Sequence, residues 1–112
     1  GRKEVIKGFG ECILRMDEVL MLCALDLSGR PYLVFNVGLT VPRTGDFDTE
    51  MLHEFFYAIS YSAGMNLHIK MLDGVNNHHI IEAAFKSFAK ALDRALEFDN
   101  RIAGVLSTKG SL

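Results

Sequence analysis

Residues 76–86 read Asn-Asn-His-His-Ile-Ile-Glu-Ala-Ala-Phe-Lys, so two adjacent imidazoles, a carboxylate and an ammonium fall within three helical turns. Asp73-Gly74 reads as a turn, and Asn76 or Asn77 as the N-cap of a helix running to about Phe98. Counting ~100° per residue from His78, His79 lies at ~100°, Glu82 at ~40° and Lys86 at ~80°. Ile81, Ala84, Phe85, Phe88, Leu92 and Ala95 read as the inward stripe, centred at ~290°. The four polar groups then share a face bordering that stripe. His78 and Glu82 are spaced i, i+4 and His79 and Glu82 i, i+3, which brings side chains together. Imidazole and carboxylate suit a borderline divalent metal, and the ammonium suits an anionic ligand. The two rings point ~100° apart, so they serve two metals, or one metal and one substrate, better than a single ion. The competing reading is a solvated cap region. A helix N-terminus disfavours cations, which fits neutral, ligating rings better than charged ones. The pattern is not the metalloprotease His-Glu-x-x-His helix, because Glu82 follows the histidines and no second His sits four residues on.

The elements that must hold this face follow from periodicity. Residues 1–10 read as a connector, and Glu11–Met16 as a strand. Val19–Asp26 is an almost unbroken apolar run, expected to be a strand buried on both faces. Ser28-Gly29-Arg30-Pro31 predicts a hairpin turn, with Tyr32–Leu39 as the returning strand and Pro42–Phe47 as a loop. Asp48 reads as the cap of a helix to about Ser62, with Met51, Leu52, Phe55, Phe56 and Ile59 inward and Gly64 closing it. Asn66–Leu72 alternates cleanly and predicts a half-buried strand. The expected order is β-β-β-α-β-α, an α/β (α+β) unit whose helices pack on one face of a mixed sheet.

With 112 residues, 49% of them apolar, the chain suits one domain spanning 1–112 with a core that needs no disulfides. A net charge of −2 and a pI near 6.1 argue against nucleic acid as the main partner. Cys12 and Cys23 lie in predicted strands without a Cys-x-x-Cys spacing, and read as buried thiols in a reducing, cytoplasmic setting. No apolar run approaches the ~20 residues of a membrane span, so no membrane partner is expected.

The 76–86 segment closely resembles a signature of the imidazoleglycerol-phosphate dehydratase family. Asp26-Leu27-Ser28-Gly29-Arg30-Pro31-Tyr32, the Gly-x-Phe-Asp-Thr-Glu run at 45–50, and Ser107-Thr108-Lys109-Gly110 agree with that family in order and spacing. The resemblance covers nearly the whole chain and implies its C-terminal half-repeat. Members are built from two similar halves, like domain 2 of ribosomal protein S5, and the first half would precede Gly1. It further implies a manganese-dependent lyase of histidine biosynthesis that removes water from imidazoleglycerol phosphate to give imidazole-acetol phosphate. The expected partners are the N-terminal half, in cis or in trans, and further subunits of a large symmetric homo-oligomer. A non-catalytic, metal-binding half that needs its complement for turnover is the alternative.

The resemblance also assigns residues. His78, His79 and Glu82 match the family's metal ligands, with two Mn²⁺ ions expected per complete site, and His79 and Glu82 are the implied catalytic groups. Glu54 matches a position where relatives carry a metal-binding His or Glu. Arg30, Lys86, Ser107, Thr108 and Lys109 match substrate- and phosphate-binding positions, the last three within a tail over 99–112. Neighbouring His53 is read as solvated and His68 as structural, on the polar side of its strand. One departure stands out: relatives carry Arg before the Phe-Gly that is Phe9-Gly10 here, whereas this chain has Gly8, with Lys7 beside it. A lysine offers a point charge, not the bidentate fork of a guanidinium. Because imidazole must be neutral to ligate, manganese occupancy is expected to fall as pH drops through ~6; full occupancy at pH ~5, measured by metal analysis, would count against imidazole ligands.

Overall fold

A computed structural model describes residues 5–40, 43–44 and 47–99. Among these, β1 (Phe9–Met16) and β2 (Val19–Asp26) form an antiparallel hairpin closed by the two-residue turn Asp17-Glu18, with Met16 opposite Val19. Asp17 takes a φ of 52°, as a tight two-residue turn demands. β3 (Tyr32–Asn36) is followed by a small ladder of β4 (Arg43–Thr44) and β5 (Phe47–Asp48) inside the predicted loop. Then come α1 (Thr49–Ala63), β6 (Asn66–Asp73) and α2 (Asn77–Ala95).

The main sheet runs β1-β2-β6-β3. β2 does not pair with β3, so the expected hairpin at 28–31 is a crossover instead. β6 inserts between the two, antiparallel to β2 and parallel to β3. Its clean alternation explains the insertion: Leu67 and Ile69 are fully buried and carry the core row from Leu25 and Cys23 across to Leu33 and Phe35. The crossover is fastened to the end of α1. The Gly29 amide donates to the Gly64 carbonyl, and the Ser60 hydroxyl donates to the carbonyls of Tyr32 and Met65.

Both helices cover one face. Cys12, Val19, Met21, Cys23, Leu25, Leu67 and Ile69 lie beneath them, at most 4% exposed. The other row of β2, Leu20, Leu22 and Ala24, is only half-buried, so the expected burial on both faces holds for one. No described element covers that second face, and Phe9, Ile13 and Tyr32 stand exposed on it. Cys12 and Cys23 are cross-strand neighbours, both buried and both free thiols. Burial pushes the Cys23 thiol up to about 12, so it behaves as a small apolar core residue.

α2 meets the sheet through small residues. Ile80, Ala83, Ala84, Ser87, Ala91 and Ala95 form its fully buried line, while Ile81, Phe85, Phe88 and Leu92 are half-buried beside it. The buried centre is therefore rotated roughly 80° from the predicted stripe. The large residues pack sideways: Phe55 and Phe56 of α1 meet Phe85 at 5.1 and 5.3 Å, and Phe56 meets Phe88 at 5.5 Å. On α1 the same pattern holds, with Leu52, Phe56 and Ser60 buried while Met51 and Phe55, expected inward, remain over 40% exposed. The small line allows backbone approach: a Cβ on Gly10 would lie 2.1 Å from the Ala91 carbonyl oxygen and 2.7 Å from the Ala95 nitrogen. Gly10→Ala is expected to cost ~1–3 kcal/mol or more through overpacking, read as a lower urea midpoint; an unchanged midpoint would show that α2 does not rest on β1.

Candidate metal centre

The start of α2 is fixed before any ligand is considered. Gly74 lets the chain turn close to the core, since a Cβ there would sit 2.8 Å from Met71 Sδ and 2.9 Å from Ile80 Cγ1. Asn76 is the N-cap, and its side chain accepts from the His79 amide at 3.1 Å. Asn77, the other candidate cap, is buried and turns to the loop after β3, where its Oδ1 accepts from the Thr40 amide at 2.8 Å and hydroxyl at 2.9 Å.

Because the buried line of α2 is the alanine row, His78, His79, Glu82 and Lys86 lie around the middle of the opposite, solvent face. His78, Glu82 and Lys86 are exposed and His79 half-buried. The Lys86 ammonium lies 3.0 Å from Glu82 Oε1, one turn away. With both side chains about half exposed, such a pair is worth under ~1 kcal/mol, so the ammonium can turn readily to an incoming anion.

His79 has a partner that sequence periodicity did not reveal. Its Nδ1 is 2.7 Å from Glu18 Oε1, in the β1–β2 turn 61 residues earlier. Glu18 Oε2 accepts from the Val75 and Asn76 amides at 3.2 and 3.3 Å. The carboxylate thus sits at the positive end of α2, where the helix dipole favours it. The His79 hydrogen bond, with the two amides behind it, holds the Glu18 carboxyl down to about 2. The same hydrogen bond, with the negative charges of Glu18, Asp17 and Glu82, raises His79 above its ordinary value. Finding Glu18 from sequence needed the knowledge that β6 lies beside β2, which brings the Asp17-Glu18 turn next to the start of α2; no local pattern carries it.

The remaining assigned residues are dispersed. Glu54, in the second turn of α1, lines a groove of about 420 Å³ with Phe35, Val37, Thr49, Glu50 and His53. His53 is exposed, and its ring also meets Phe35 edge-on at 5.5 Å and Tyr57 at 6.4 Å. His68 is exposed on the uncovered sheet face, opposite Ala24 and Val34 in register. Arg30 is exposed in the β2–β3 crossover, beside the Asn66 end of β6, whereas the histidine pair follows its Asp73 end. Seven steps of ~3.3 Å put roughly 23 Å between those ends. Lys7 stands at the Arg30 end, held 2.9 Å from Glu97. Ser107, Thr108 and Lys109 lie outside the described residues.

The donor types suit manganese: neutral imidazole nitrogens with a carboxylate oxygen one turn away. Yet no group of three His, Cys, Asp or Glu side chains among the described residues converges well enough to hold a metal ion. What this chain presents is a partial ligand set.

Sheet order, helix placement and the histidine face define one half-unit of an α+β fold with ligand-type residues at the mouth of its second helix. Residues 1–92 match the family model described as imidazoleglycerol-phosphate dehydratase. The chain is 64% identical to the enzyme of that name from Lachnoclostridium phytofermentans over 96% of this chain, and 54% identical to that from Acetivibrio thermocellus over all of it. It superposes on the crystal structure of imidazoleglycerol-phosphate dehydratase from Staphylococcus aureus with a TM-score of 0.82 at 43% identity, over 87% of this chain and 57% of that one. The Pyrococcus furiosus structure gives a TM-score of 0.75 at 36% identity, over 87% and 55%. The chain belongs to the imidazoleglycerol-phosphate dehydratase family, and it spans 55% and 57% of the length of those two curated relatives.

The Glu18–His79 pair has a definite pH signature. Glu18, lowered from 4.5 to about 2, contributes stability above ~4.5 that is lost as pH falls towards 2. His79, raised above 6.5, contributes stability that is complete below 6.5 and lost as pH rises through its folded value. In metal-free protein the His79 ring is expected to titrate above 6.5 by NMR, and Glu18→Gln to bring it back down; a wild-type midpoint at or below 6.5 would contradict the contact.

Proposed function

We propose that this chain supplies the C-terminal half of an imidazoleglycerol-phosphate dehydratase, a hydro-lyase acting in histidine biosynthesis. In the reaction of that name, a weakly acidic carbon-bound proton beside the imidazole and a hydroxide depart as water, leaving imidazole-acetol phosphate. The observation that carries the proposal is the placement of His78, His79, Glu82 and Lys86 on one solvent face, in a chain of this family. Manganese, when bound, would supply Lewis acidity to the azole nitrogens of the substrate.

The residues divide the work by chemistry. His78 and His79 offer ring nitrogens in divergent directions, suiting two separate ions. Glu82 lies one turn from His78 and offers a carboxylate both as ligand and as proton acceptor. Glu54 is the proposed ligand from α1. Lys86 can leave Glu82 for the substrate phosphate, and Arg30 offers a guanidinium fork for it. Ser107, Thr108 and Lys109 are proposed phosphate contacts in the tail.

Arg30 and the histidine pair lie by opposite ends of β6, a strand roughly 23 Å long, and one small phosphate ester does not span such a length. Arg30 therefore serves a site whose ligand face belongs to another half or another subunit. The partial ligand set and the uncovered sheet face support the same reading, an active site completed in a symmetric homo-oligomer. The buried free thiols suit a cytoplasmic setting, and no helix among the described residues is long and apolar enough to cross a membrane.

The same incompleteness favours the second reading, a half that binds metal and assembles but turns over only with its complement. Adding the N-terminal half in trans is expected to yield dehydratase activity with stoichiometric manganese; neither appearing would overturn the proposal. His78→Ala is expected to abolish metal-dependent assembly on gel filtration while the metal-free fold survives, because His78 is exposed. A variant that unfolds outright would place His78 in the core instead.

A further inference from the structure

Resting on the manganese reading above, we infer that Glu18 is a positioning residue for His79: it fixes the ring through Nδ1 and leaves Nε2 as the metal-ligating atom. Three contacts carry this. Glu18 Oε1 is 2.7 Å from Nδ1, a short charge-assisted hydrogen bond that commits that nitrogen as the donor. Glu18 Oε2 is itself held by the amides of Val75 and Asn76, so the carboxylate cannot swing without breaking two further bonds. Asn76 Oδ1 accepts from the His79 amide, so backbone and ring of the same residue are tied to one rigid junction.

The arrangement differs from an ordinary surface ion pair, in which two long side chains lose entropy to meet. Here the carboxylate is anchored on backbone from the β6–α2 connection and delivered by the β1–β2 turn, two segments fixed by the sheet register. Asp17 Oδ2 lies 3.8 Å from Nε2, beyond hydrogen-bond reach, and adds negative charge on the side where a cation would sit. A carboxylate behind an imidazole sets its tautomer, restricts its rotation and raises its basicity towards a metal; losing such a partner typically weakens affinity by ~10–100-fold.

The test uses the assembled protein, stripped of metal and titrated with Mn²⁺ alone. Glu18→Ala is expected to weaken manganese binding by ~10–100-fold. Glu18→Gln, whose amide oxygen can still accept from Nδ1, is expected to lose only a few-fold. Solid-state ¹⁵N NMR of the metal-free protein reads the geometry separately: Nδ1 protonated in the wild type and in Glu18→Gln, and mixed tautomers in Glu18→Ala. Should Glu18→Ala not fold, Glu18→Gln decides alone, a modest loss supporting the inference and an unchanged affinity overturning it. Wild-type affinity in Glu18→Ala, or Glu18→Gln as weak as Glu18→Ala, overturns it while leaving the manganese reading intact. A wild-type protein that takes up no manganese overturns both.

Discussion

The approach of α2 to β1 at Gly10 sets the geometry of everything that could be chemical in this chain. Where the helix backbone touches the strand, only glycine fits below and only alanine or serine fits above. That contact fixes the rotation of α2 about its own axis. With the alanine row pressed on the sheet, the phenylalanines must turn towards α1, and the two histidines, Glu82 and Lys86 must turn outwards. A helix seated on its large residues, as the periodicity alone suggests, would place the same four groups nearer the rim of the core. The candidate ligand face therefore owes its direction to residues with almost no side chain.

The second constraint is electrostatic. The N-terminus of α2 is an unfavourable place for an imidazolium and a favourable place for a carboxylate. The chain places one of each there and lets them meet. Glu18 takes up amide donors at the mouth of the helix and in turn makes a charged ring tolerable at His79. The carboxylate strengthens the hold of that ring on its proton.

Much of this was legible in the sequence, and the parts that were not have a common cause. The strand limits at Val19–Asp26, the turn at Asp73-Gly74, a cap at Asn76 or Asn77 and the class of fold followed from local rules, and the structure selects Asn76. The family followed from motifs spread along the chain. What local rules could not give was strand order. The turn at 28–31 looks like a hairpin, and only the insertion of β6 converts it into a crossover. The same insertion brings Glu18 to His79 and carries Arg30 to the far end of the sheet. The inward face of α2 differs from its periodicity for a related reason: hydrophobicity marks Phe85 and Phe88 as core, but close packing against Gly10 selects the alanines. Nothing local says that a sheet will come so near.

Strand order also governs how this polypeptide can be made. The strand that joins both sides of the sheet leaves the ribosome only after β3 and the whole of α1. Until Asn66–Asp73 has been synthesised, β2 has an unpaired inner edge and β3 has no partner in the main sheet. The β1–β2 hairpin can form early, but sheet closure waits for a long-range pairing, which slows folding and exposes an apolar strand edge meanwhile. A nascent chain halted within α1 would present that edge to its neighbours, so the passage from α1 to β6 is where chaperone protection matters most.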